Sequence, residues 1–388
     1  MERSLAAYRA AGERLGEANA LWELARSRSL DWDLPSATDL NTQALRIFQS
    51  LGDRLGEANV RWALGSLAWS RWDLPTAASC FTEALAGFHD LDHRLNEFDA
   101  LTALGVVTWA TGDIGSAADL QRRALNLSRA LGHRVCEAAA LTELGRVNLA
   151  TADLRAATEM LNDALALYRD LGLPSGVATV LGQLGQLHLA AGDIPAATRV
   201  LTESSAVHRS LGAQFHEAHV QIFLGEALAA SGDLSAARRV LEQSVAWGLH
   251  RVPPLEARAK AELARIRHTA GDTSVAAAML REAATVYRAT NDQRGLALVH
   301  RYHGDLAADT GAVHDAVADY SSALGCARAA DDLLGQAYAS ECLAHGLERI
   351  GDRASARARL REAVVLYRRI GSGRLETAAQ AQLAAWCD

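Results

Sequence analysis

Lysine is almost missing from this 388-residue sequence, where Lys260 is the one lysine among 39 basic residues. An arginine excess of this kind fits the codon usage of a GC-rich genome better than a selection for arginine chemistry. Proline occurs six times and methionine three, and aromatic residues make up 5% of the chain. Its five cysteines, Cys80, Cys136, Cys326, Cys342 and Cys387, are widely spaced and form no Cys-x-x-Cys pair. That spacing excludes a disulfide framework and the usual zinc and redox motifs, and leaves buried free thiols as the expectation. No apolar run approaches the 18 or so residues of a membrane span, and the N-terminus has no signal-peptide core, so a cytoplasmic protein without membrane contact is expected. With a net charge of -7, direct nucleic-acid contact has no global electrostatic support.

Catalytic patterns are scarce as well. There is no Gly-Lys-Ser/Thr phosphate loop and no nucleophile elbow. His216 and His219, like His300 and His303, stand three apart rather than the four of the helical zinc motif, with no third ligand in view. The reading is of no enzyme, no metal and no cofactor.

What is present is a period. The pair Gly-Asp or a close relative recurs at Trp32-Asp33, Trp72-Asp73, Gly112-Asp113, Ala152-Asp153, Gly192-Asp193, Gly232-Asp233, Gly271-Asp272, Gly311-Ala312 and Gly351-Asp352, a step of 40 residues broken once by 39. Five residues after the first member of each pair comes alanine, from Ala37 and Ala77 through Ala356. Seven residues before it comes a small residue, Ala25, Gly65, Gly105, Gly145, Gly185, Gly225, Ala264, Gly304 or Ala344. Small side chains at fixed places on two successive helices let their axes approach closely, which predicts a tight antiparallel hairpin, helix A then helix B. In the second repeat helix A is expected from about Glu57 to Ser70, with Asp73 as N-cap of helix B and Pro75 at a tolerated early position. After helix B the terminating slot holds Gly12, Gly52, Asp92, Gly132, Gly172, Gly212, Asn291, Asp331 or Gly371, residues suited to a left-handed C-cap. Trp32 and Trp72 fill a turn slot elsewhere given to glycine. A bulky residue there would bear roughly 1–2 kcal/mol in a left-handed backbone, so these two turns are expected to take another conformation and their rings to pack.

The fold class is therefore all-α, an α-α superhelical solenoid of about nine helical hairpins. The units lie near 17–50, 51–90, 91–130, 131–170, 171–210, 211–248, 249–289, 290–329 and 330–369, with a C-terminal capping helix in 370–388. The segment 248–255, with Pro253-Pro254 and the 39-residue step, reads as a helix start or as a joint. Leu5 to Ala11 match the end of a helix B without its helix A, so the chain reads as a fragment of a longer protein with Met1 an added start.

Leu-Gly, then Gly-Asp seven and eight residues after that glycine, then alanine, then an Ala-Leu pair (Ala84-Leu85, Ala124-Leu125, Ala164-Leu165) resembles the tetratricopeptide repeat in a long, 40-residue variant. The aromatic usual three residues after the Leu-Gly glycine is replaced by Ala68, Thr108 and Asn148, and the closing proline by a Leu-Gly-Asp-Arg connector. The connectors are similar to those in C-terminal arrays of bacterial signal-transducing ATPases and of transcriptional activators of antibiotic biosynthesis. That resemblance implies a sensor or regulatory part of a larger regulator, with a free-standing scaffold or signal-peptide receptor as the alternative. It also implies a protein or peptide partner, which includes the chain's own upstream effector domain, and it is compatible with a homo-oligomer.

By the same resemblance the concave face is lined by the second, fifth, ninth and twelfth positions of helix A. In units one to three these are Asn19, Trp22, Arg26, Ser29, Asn59, Trp62, Ser66, Trp69, Asp99, Thr102, Val106 and Trp109, and unit four adds Arg146. Units seven to nine give Arg258, Arg265, His268, Arg301, Asp305, Tyr338, Glu341, His345 and Glu348. The groove is expected to be aromatic at one end and charged at the other. Trp62 and Trp69 read either as anchors for a partner or as interhelical packing. Asn19 and Asn59 have the amides to hold a peptide backbone. The Lys/Asn pattern of the chaperone-type carboxylate clamp is replaced by Trp22 and Arg26.

Overall fold

The computed structural model describes residues 2–248 and 252–386, and among these every regular element is an α-helix. The chain forms two compact units, residues 1–143 and 144–388. The first holds α1 (Glu2–Ala11), α2 (Arg14–Leu30), α3 (Leu34–Leu51), α4 (Arg54–Ser70), α5 (Leu74–Asp90), α6 (Arg94–Ala110) and α7 (Ile114–Ala130), and α8 (Arg134–Ala150) carries the boundary. The second continues with α9 (Leu154–Asp170), α10 (Pro174–Ala190), α11 (Ile194–Ser210), α12 (Gln214–Ala230), α13 (Leu234–Gly248) and α14 (Pro253–Thr269). It ends with α15 (Thr273–Ala289), α16 (Gln293–Asp309), α17 (Val313–Ala329), α18 (Leu333–Arg349), α19 (Arg353–Ile370) and α20 (Gly373–Ala385). Residues 249–251, within the 248–255 connector, lie outside the described residues, as does Cys387. No helix described is long and apolar enough to cross a membrane.

Each unit is a stack of the expected hairpins. All nine turn alanines, from Ala37 to Ala356, are fully buried, and the small residue on helix A accepts a large one from helix B. A Cβ on Gly145 would sit 2.6 Å from Leu161, and one on Gly225 would sit 2.5 Å from Leu241. In the alanine slot of the Ala-Leu pair two repeats carry Ser204 and Ser244 and keep the close approach, because each hydroxyl donates to a helix A carbonyl, Ala178 at 2.6 Å and Ala218 at 2.8 Å. Asp33, Asp73, Asp113 and Asp153 each accept the backbone N–H three residues on, as N-caps do.

Every B-to-A terminating slot named above has positive φ, from 49° at Asp331 to 81° at Gly371. The A-to-B turns correct an expectation. Trp32 (φ 58°) and Trp72 (φ 60°) adopt the same left-handed backbone as Gly112 and Gly192. The closing hydrogen bonds explain why: Trp72 N–H donates to Trp69 and Asp73 N–H to Ala68, both at 2.9 Å, and that pair of bonds needs a left-handed residue whatever its side chain. Part of the strain is offset where the Trp72 ring lies 5.0 Å from that of Trp69. Trp32 remains 39% exposed.

A second recurring device joins helix B to the next helix A. Arg9–Glu17, His89–Glu97, Arg129–Glu137, Arg209–Glu217 and Arg368–Glu376 pair at 2.7–2.9 Å across the connector, always eight residues apart. Successive A helices also touch one another, α4 with α6 in the first unit and α10, α12, α14, α16 and α18 in turn in the second, without a comparable contact between successive B helices. The A row is therefore the inner row of each stack.

In the second unit the chain returns on itself. Leu360, Tyr367 and Ile370 of α19 and Ala379 of α20 share a buried cluster with Ala152, Leu154 and Ala190. Arg374 reaches the Gly192 carbonyl at 3.4 Å and the Asp193 carboxylate at 3.5 Å.

Candidate binding face

Within the second unit, the A helices α12, α14, α16 and α18 bring charged and aromatic side chains into one connected cluster. At its centre is Glu262, which has no solvent exposure. Both its oxygens accept from the Tyr302 hydroxyl, at 3.0 and 2.9 Å, and Arg258 and Arg265 approach them at 3.2 and 3.6 Å. Burial alone would raise the Glu262 carboxyl. The two guanidinium charges and the tyrosine hydroxyl outweigh it and hold the group below the usual carboxylate range. Glu226 lies 3.4 Å from the same Arg258 nitrogen that meets Glu262, and burial together with repulsion by Glu262 pushes it up. The Arg301 guanidinium sits 4.6 Å from the Tyr302 ring centre and 5.5 Å from that of Tyr338. Tyr320 donates to Asp305 at 2.8 Å and Tyr367 to Glu341 at 2.6 Å, so helix B residues fix the inner acids from behind. Burial raises the Cys342 thiol to about 12, which makes it a poor nucleophile.

Of the residues expected on the concave face, Arg258, Arg265, Arg301, Asp305, Tyr338 and Glu341 thus meet in one place. His268 pairs with Asp309 at 2.8 Å, and His345 packs edge-on against Trp386 at 5.8 Å. Position nine of unit six supplies Glu226. Glu262 and Tyr302, 40 residues apart, occupy the sixth position of their units together with Phe223 and Cys342. The resemblance did not mark that position, but register alone stacks these residues as neighbours.

The first unit places its candidates differently. Trp22 packs against the core around Leu21 and Phe48, and Trp69 against Ala68, Leu74, Phe81 and Val107. Trp62 leans on Phe81 at 6.3 Å and stays 36% exposed. Asn59 accepts from Asn96 at 2.9 Å, which occupies one face of its amide, while Arg26 pairs with Glu23 at 2.7 Å. Ser66 and Thr102 donate to carbonyls of their own helices, Trp62 and Phe98. Asp99 is raised by burial. Trp109 and, in the second unit, Arg146 are half-buried.

The histidine pairs separate. His216 stacks on His208 at 5.1 Å and His219 lies edge-on to Phe223 at 5.3 Å, while His300 meets Asp319 at 3.1 Å. No group of three metal-ligating side chains occurs among the described residues. Burial, and then repulsion by His216, depresses His208 to about 4. Above pH 6.5 folded and unfolded chains both carry it neutral. As pH falls from about 6.5 to 4, only the unfolded chain takes up the proton, so stability is lost across that window. Urea midpoints measured from pH 7 to 4.5 should fall, and less steeply in His208→Phe. Equal slopes would remove this histidine from the account.

Two open concavities lie away from the cluster, one beside Ile194, Thr198 and Arg199, the other where the α8–α9 turn meets Arg369 and Gly371.

Residues 92–170 match the family model described as tetratricopeptide repeat. No curated protein matches the sequence. Among solved structures, a Rap protein complexed with competence and sporulation factor is 14% identical, with 96% of this chain and 99% of that one covered and a TM-score of 0.64. The Rap conjugation gene regulator of plasmid pLS20, in complex with the Phr* peptide, is 11% identical over 91% and 96% of the two chains at a TM-score of 0.59. The apo quorum sensor NprR from B. thuringiensis is 11% identical over 93% and 99%, TM-score 0.53. The fold is thus that of tetratricopeptide-like helical repeats.

Proposed function

We propose that this chain is a receptor for a protein or peptide partner, which binds along the inner A row of the second unit. The observation that carries this reading is the cluster around Glu262, where cations, acids and ring faces are held in fixed orientation by residues behind them. Such preorganisation lowers the ordering cost of binding. Two similar folds hold a factor or a peptide, which supports a signal-peptide receptor. The chemistry is contact rather than catalysis, since a thiol raised by burial and acids engaged by tyrosine offer no activated nucleophile. We infer further that binding regulates an effector, as a sensor array does. An ATPase or DNA-binding segment encoded upstream in the same reading frame would be that effector; a frame holding this array alone favours the free-standing receptor.

The test is a random-peptide display selection on the purified protein, followed by hydrogen exchange on the complexes. Enriched peptides should slow exchange in α14, α16 and α18 and lose about tenfold or more in affinity in Tyr338→Ala, as for a buried aromatic contact. A selection without enrichment, or binders that protect only other helices, would overturn the reading.

A further inference from the structure

Resting on that reading, we propose that the inner face of the second unit receives a carboxylate of the bound peptide at Arg301. Three arginines stand in the cluster. Arg258 has Glu226 and Glu262, and Arg265 has Glu262, within the 4.0 Å of an ion pair. Among the described residues Arg301 has no carboxylate at that distance; its near neighbours are the rings of Tyr302 and Tyr338.

The acids that might have served it are committed elsewhere. Glu262 accepts from Tyr302 and is ion-paired with both other arginines, while Asp305 accepts from Tyr320 and Glu341 from Tyr367. Each tyrosine is anchored in packed surroundings, so the acids are held away from the guanidinium. Asp305 and Glu262 act on the Arg301 charge only from beyond ion-pair distance, so among the described residues its N–H groups have ring faces beside them and no carboxylate oxygen to pair with, and a cation–π contact is weaker than a hydrogen-bonded ion pair in the same setting. The planar fork lies beside two rings on the inner A row, and a guanidinium fork matches a carboxylate better than a neutral amide. The carboxylate would come from an Asp or Glu side chain or from a free C-terminus.

Affinity selection with mass spectrometry distinguishes the sources. Four synthetic random nonapeptide pools are offered to the purified protein: free or amidated at the C-terminus, each with or without Asp and Glu. If a side chain is the anchor, both pools lacking acidic residues should be depleted. If the C-terminus is the anchor, both amidated pools should be. Peptides captured by wild type should lose about 30-fold or more in affinity for Arg301→Gln, as when one partner of an enclosed charge pair is removed. Arg301→Lys should bind more weakly yet keep the acidic preference. Capture from all four pools alike, or an unchanged preference in Arg301→Gln, overturns the anchor and leaves the receptor reading standing. No capture from any pool sinks both. The wild-type arms decide the question even where a variant folds poorly.

Discussion

Replacing Glu262 with alanine is expected to destabilise the second unit by about 3–5 kcal/mol, the loss typical when one member of a buried charge network is removed. The carboxylate is fully enclosed, and among the described residues its deletion leaves Arg258 with Glu226 alone and Arg265 with no acid within ion-pair distance. It also strands the Tyr302 hydroxyl, whose two contacts both end on Glu262. Tyr302→Phe removes only the hydroxyl and should lose about 1.5–3 kcal/mol, the range for a hydrogen bond to a charged group. Urea unfolding followed by far-ultraviolet circular dichroism would rank the two. A Glu262→Ala protein as stable as Tyr302→Phe would mean that the arginines find water instead, and that the cluster is not the rigid platform described above.

The second large effect is a coupling between Gly185 of α10 and Leu201 of α11. A Cβ on Gly185 would lie 2.3 Å from Leu201 Cγ and 2.4 Å from its Cδ2, far inside contact distance. Gly185→Ala in the wild-type background should therefore be destabilising by about 1–3 kcal/mol through overpacking. Leu201 is fully buried, and Leu201→Ala should itself lose about 2–5 kcal/mol. In that truncated background the same Gly185→Ala change meets open space and should turn stabilising by up to about 1 kcal/mol, the helix-propensity gain over glycine. The sign reversal is the prediction, read from four urea midpoints. Additive single effects would show that the hairpins breathe enough to absorb a methyl group, contrary to their close approach.

The repeat was legible because its constraints are steric and local. A period of 40, an alanine at each turn and a small residue seven before it have few realisations other than close helical pairs. The left-handed B-to-A slots could be read from residue type, since glycine, asparagine and aspartate are the residues that tolerate them. Trp32 and Trp72 show where that logic fails: the closing hydrogen bonds set the backbone, and side-chain preference is only a bias upon it. The charged cluster was half visible. Position along helix A picked out Arg258, Arg265 and Arg301, but the acid that organises them sits one position from the marked register. An isolated glutamate in a helix gives no local sign that it is buried. What would have exposed it is Tyr302 one period later, a donor stacked upon an acceptor.

Gly192 and Arg374 meet although 182 residues separate them along the chain. An open stack of repeats behaves as a one-dimensional chain, in which each brick feels only its neighbours and the last ones fray first. The seam in the second unit changes that statistics. Its terminal helices gain a partner that exists only once every intervening hairpin is in place, so the seam must be the last feature to form and adds non-local contacts of the kind that slow folding. Once sealed, the loop lacks a free end on that side, and melting must begin by parting the seam.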